Sequence, residues 1–156
     1  MPTIEIFDHE AGGAEGFRYL VEMHKIVAAV DEFGSRLDWY VVEMFVNVLT
    51  GGEEEWILDL CRRCERLAEP PRITWQEIMR FGKEVGQVES CVLIGARPGG
   101  EPPAEPIDLN SKSWEMVIQS VDVTFWAITS HDQTLLERVR AAFKETKAVE
   151  STKRYF

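Results

Sequence analysis

Four stretches of the chain combine residue types at spacings that chemistry can use. Cys61-Arg62-Arg63-Cys64 has CxxC spacing, which suits thiol–disulfide exchange or half of a tetrahedral zinc site. A redox pair needs a helix N-terminus to favour its thiolate, and a zinc site needs two further ligands. Only Cys91, His9, His24 and His131 remain, none paired at ligand spacing, so packed core cysteines and no metal are expected. Gly12-Gly13-Ala14-Glu15-Gly16 offers backbone N–H groups of the kind that cradle phosphate, but it lacks the Lys-Ser/Thr ending of a P-loop. Asp8, Glu10 and Glu15 surround it and would repel an anion, so a plain turn and no cofactor are expected. Ser120, Asp122 and Thr124 share one strand parity, with His131-Asp132 shortly after. A carboxylate among apolar neighbours can serve as a general acid or base. No nucleophile stands with a base and an orienting group, so no catalytic residue is assigned, and Asp122 reads first as a turn residue bonding nearby backbone. Finally, Glu53-Glu54-Glu55 precedes Trp56, either as the solvated start of a helix or as an acidic docking face with an aromatic anchor.

The elements that must position these groups follow from periodicity and punctuation. Thr3 to Phe7 reads as a short strand and His9 to Gly16 as a turn. From Phe17, apolar residues at Tyr19, Met23, Ile26, Val30 and Phe33 predict a helix ended by Gly34. Leu37 to Leu49 is β-branched, yet Arg36, Glu43, Asn47 and Thr50 form a stripe at helical spacing, so a second helix is predicted, stopped by Gly51-Gly52. A third helix runs from Glu53 to Ala68 with its bases late, as the helix dipole favours. Thr74-Trp75-Gln76-Glu77 is a capping box that opens a fourth, reaching about Val85. Val88 to Ala96 reads as a strand, and residues 97–113, with four prolines, as a surface loop. Trp114 to Thr129 is one long bent strand or two strands joined near Asp122. A last helix is capped by Asp132, and residues 146–156 read as a flexible tail. Helices and strands segregate along the chain, which predicts a single α+β domain over 1–145. A small, mainly antiparallel sheet packs against several helices, with a single layer of each.

Composition narrows the function classes. The 156 residues are 45% hydrophobic and 28% charged, which suits a packed globule that folds without disulfides or metal. Lys and Arg number 17 against 27 Asp and Glu, a net charge of −10 that argues against nucleic-acid binding. Residues 1–78 hold 16 acids and 7 bases, so the charge is concentrated in the first half. Met1 to Asp8 has neither the basic start nor the apolar run of a secretory signal, no window suits a membrane span, and the three cysteines are odd in number. A cytoplasmic protein is expected.

Phe33…Leu37-Asp38-Trp39, Ile73-Thr74-Trp75-Gln76-Glu77-Ile78 with Gln87-Val88, and Val117 to Trp126 together resemble small acidic bacterial α+β proteins, some associated with toxin-immunity systems. The resemblance implies a non-enzymatic protein that binds another protein. The leading expectation is an immunity-type or inhibitor domain that meets a basic partner through Asp8, Glu10, Glu53, Glu54, Glu55 and Trp56. The alternative is a small-molecule or metal-dependent enzyme around Asp122, Thr124 and His131, with Glu89 or His131 as the second polar group. A homo-oligomeric structural protein is the third reading.

Overall fold

In a computed structural model, which describes residues 1–11, 18–47, 55–66, 69–85 and 87–150, the chain is α+β as expected, with a larger sheet than the sequence suggests. The strands are β1 (Pro2–Ile6), β2 (His9–Ala11), β3 (Arg18–Leu20), β4 (Asp38–Asn47), β5 (Arg72–Ile73), β6 (Gln87–Ala96), β7 (Trp114–Val121), β8 (Phe125–Ser130) and β9 (Thr146–Glu150). The helices are α1 (Met23–Ala29), α2 (Asp31–Gly34), α3 (Glu55–Arg66), α4 (Trp75–Glu84) and α5 (Gln133–Ala142). Seven strands form one antiparallel sheet in the order β5-β4-β6-β7-β8-β1-β9, and β2 pairs with β3 in a separate ribbon. No helix among the described residues is long and apolar enough to cross a membrane.

The helices cover one face of this sheet. Ile26 and Val27 of α1, Ile57 and Leu60 of α3, Trp75, Ile78 and Phe81 of α4, and Leu135, Leu136 and Val139 of α5 join a single core. The sheet contributes Ile4, Ile6, Val41, Met44, Cys91, Leu93, Ile118, Trp126 and Ile128 to it. Buried indoles keep their N–H groups satisfied: Trp126 donates to the Val21 carbonyl at 2.9 Å and Trp39 to the Gly34 carbonyl at 2.7 Å. The opposite face carries no helix among the described residues. Over β4, β6 and β7 a second cluster forms there, in which Leu109 of the proline-rich loop packs on Tyr40, Val92, Ile94 and Val117. Farther across that face, Gln119, Thr129 and Thr3 are buried polar residues, and the Thr3 and Thr129 hydroxyls are 2.8 Å apart.

Three local readings change and one alternative is decided. Residues 38–47 are a strand and no helix: a bulge at Val42 shifts the register, so Trp39, Val41, Met44 and Val46 all face the helices. The three-residue step from Val41 to Met44 imitates a helical period inside a strand. Leu20 ends β3, and the first helix starts only at Met23. Of the two alternatives for Trp114 to Thr129, the structure has the second, two strands joined by residues 122–124. Residues 146–150 are no tail but an edge strand paired with all of β1, from Pro2 against Glu150 to Ile6 against Thr146. Residues 12–16 of the glycine-rich turn and 151–156 of the expected tail lie outside the described residues.

Candidate functional site

The expected acidic front does not assemble into one surface. Asp8, just past β1, has its carboxylate occupied by two backbone groups: it accepts the N–H of Lys144 at 3.0 Å and of Glu145 at 2.6 Å. Glu10 lies in β2, Glu53 and Glu54 lie outside the described residues, and Glu55 is exposed at the start of α3. Trp56 is engaged inside the molecule rather than offered to a partner. Its indole N–H donates to Glu84 Oε2 at 2.8 Å, Arg80 lies 4.6 Å over the ring, and Phe81 meets it edge-on. Hydrogen bonds from Arg80 and Trp56 hold the Glu84 carboxyl below the usual carboxylate range. Asp8 and Trp56 belong to opposite ends of the sheet. α3 packs on β4, and β4 lies four inter-strand steps from β1, about 19 Å.

The thiols are held as core groups. Cys61 and Cys64 are half-buried under α3, and Cys91 is fully buried in β6. Burial pushes all three thiols up, Cys64 to about 11, so the neutral thiol dominates at neutral pH. Among the described residues no three His, Cys, Asp or Glu side chains converge to hold a metal ion.

Asp122 and His131 do not meet either. The six-residue strand β8 separates them, so they sit roughly 20 Å apart at its two ends. His131 is exposed beside Asp132, which caps α5 by accepting the Leu135 N–H at 3.1 Å. Asp122 is also exposed, in a turn closed by the Thr124 N–H to the Val121 carbonyl at 2.8 Å. The Thr124 hydroxyl donates to the Asp122 carbonyl at 3.0 Å, which accounts for Thr124 locally. Asp122 and Val123 both have positive φ, 45° and 50°, within the three residues that separate the paired Val121 and Phe125.

What the fold does bring together is Asp122 and Glu89, in a shallow cleft of about 570 Å³ lined by Phe45, Glu89, Ser90, Asp122 and Val123. Phe45 is 49% exposed and Val123 39%, two of the three large hydrophobic side chains that are exposed among the described residues. Phe45 pairs with Ser90 across β4 and β6, and the Ser90 hydroxyl donates to Glu43 Oε1 at 2.7 Å. Two carboxylates, Glu89 and Asp122, thus line the cleft beside two apolar side chains, a third, Glu43, is held by Ser90, and no Lys, Arg or His lines it among the described residues. Beyond the hairpin, the Phe125 and Phe7 rings lie tilted by 37° with centroids 5.2 Å apart. Chemically the cleft offers apolar contact and hydrogen-bond acceptors, with no nucleophile–base pair among the described residues. Its sequence signal was divided: Asp122 and Glu89 stood out, whereas Phe45 was hidden in the misread helix and Val123 in a strand alternation. Neither the known protein families, nor the curated proteins, nor the solved structures contain a match to this chain.

Proposed function

We propose that this protein is a non-enzymatic, cytoplasmic interaction domain that binds a basic partner protein, as an immunity protein or an inhibitor does. The observation that carries the reading is the hairpin cleft, where the exposed Phe45 and Val123 share a lining with Glu89 and Asp122, and Glu43 accepts the hydroxyl of the lining Ser90. Interfaces draw most of their energy from a few apolar anchors, while surrounding charge steers encounter and selects the partner. A net charge of −10 extends that selection to long range and repels nucleic acid. The separation of Asp122 from His131 leaves the enzyme reading with two exposed carboxylates and no nucleophile beside them among the described residues.

Panning a display library of short random peptides against the immobilised protein tests this. The selected pool is expected to gain Lys and Arg relative to the input, and its retention is expected to fall as salt rises. A pool without cationic enrichment would contradict the reading.

A further inference from the structure

We infer that the Val121–Thr124 turn is a display device. It holds Val123 out beside Phe45 as one of two anchors for a partner segment in which aliphatic and cationic side chains alternate. The inference rests on the reading above and names the partner's chemistry and its seat. The two exposed apolar side chains come from distant parts of the chain, β4 and the β7–β8 hairpin, and share one cleft. A segment seated there places an aliphatic side chain against Phe45 and Val123. Its flanking positions then fall beside Glu89, Asp122 and the Glu43–Ser90 pair, which offer hydrogen-bond acceptors. An acidic segment is repelled at the same positions, and a wholly apolar one leaves the carboxylates desolvated without partners.

The turn itself fits this role. A turn with positive φ at two successive residues favours Asn, Asp or Gly at both. Here the second position is a β-branched valine at φ 50°, the residue class for which that region is most hindered. Val123 is exposed, so burial in the core does not explain its presence. A partner's surface gives the side chain the apolar contact that this molecule withholds.

The test is an amide chemical-shift titration of the full chain with the peptide Ac-GRLKLRG-NH2 and, separately, with its acidic counterpart Ac-GELELEG-NH2. The cationic peptide is expected to shift Phe45, Glu89, Ser90 and residues 122–125, and the acidic peptide none of them. Val123→Gly, which suits the turn and keeps the fold, is expected to weaken binding roughly fivefold by removing most of one anchor. Asp122→Asn, also compatible with the turn, is expected to flatten the salt dependence. Binding of the cationic peptide at another face, or equal binding by Val123→Gly, overturns the display inference and leaves the basic-partner reading standing. No shifts with the cationic peptide at millimolar concentration, or equal shifts with the acidic one, overturn both.

Discussion

Replacing Asp8 by alanine should loosen a whole edge of the sheet. The Asp8 carboxylate accepts two backbone N–H groups, of Lys144 at 3.0 Å and Glu145 at 2.6 Å, where the chain leaves α5 and enters β9. Hydrogen bonds to a charged group contribute about 1.5–3 kcal/mol each. Asp8 is half-buried, so water recovers part of the loss and the lower end applies: about 2–3 kcal/mol for the pair. For a chain of this size that lowers the melting temperature by about 5–8 °C. Asp8→Asn keeps an acceptor without the charge and should lose about half as much. Urea denaturation gives the free energy, and amide hydrogen exchange should locate the weakening in β9 and its partner β1. A loss below about 0.5 kcal/mol with unchanged exchange in residues 146–150 would refute the argument that this carboxylate fastens β9.

Two further outcomes follow from the same structure. Gly34→Ala places a Cβ within 3.0 Å of three ring atoms of Trp75, which is stacked on Trp39 and hydrogen-bonded to Asp31 at 2.7 Å, so the ring cannot yield. A stability loss of about 2–3 kcal/mol is expected, and a melting temperature equal to wild type would contradict it. The Cys64 thiol lies near 9 when free and at about 11 when folded, so its contribution is fully present below pH 9 and is lost as pH rises toward 11. Denaturant midpoints should therefore decline over that window, and Cys64→Ala should flatten the decline, whereas an unchanged slope would show that another group governs it.

How much was legible depended on how local each signal was. The Thr74 capping box is present in full, with the Glu77 N–H bonded to Thr74 Oγ1 at 3.1 Å and the Thr74 N–H to Glu77 Oε2 at 2.8 Å. Asp132 caps α5 as its position suggested, because a cap is decided within four residues. β4 was misread because its bulge breaks the two-residue alternation that identifies a strand. β9 carries little apolar signal, since only Thr146 and Val149 are half-buried and its other residues are exposed, and it exists through pairing with β1 at the other end of the chain. The cleft was illegible for the same reason. Phe45 and Val123 meet only because β4 pairs with β6, β6 with β7, and β7 turns back into β8. Asp8 was assigned to a partner because nothing near it in sequence reveals two amides more than 130 residues away that occupy it.

The most direct test of the docking cleft is site-specific photo-crosslinking in cells that express the protein, with a benzophenone side chain placed at Phe45. A single adduct with a basic protein is expected, lost when Glu89→Gln and Asp122→Asn are combined. The same probe at Leu58 on α3, another exposed apolar position, should give none. Adducts at Leu58 matching those at Phe45, or adducts at Phe45 that survive neutralisation of the two carboxylates, would contradict the account.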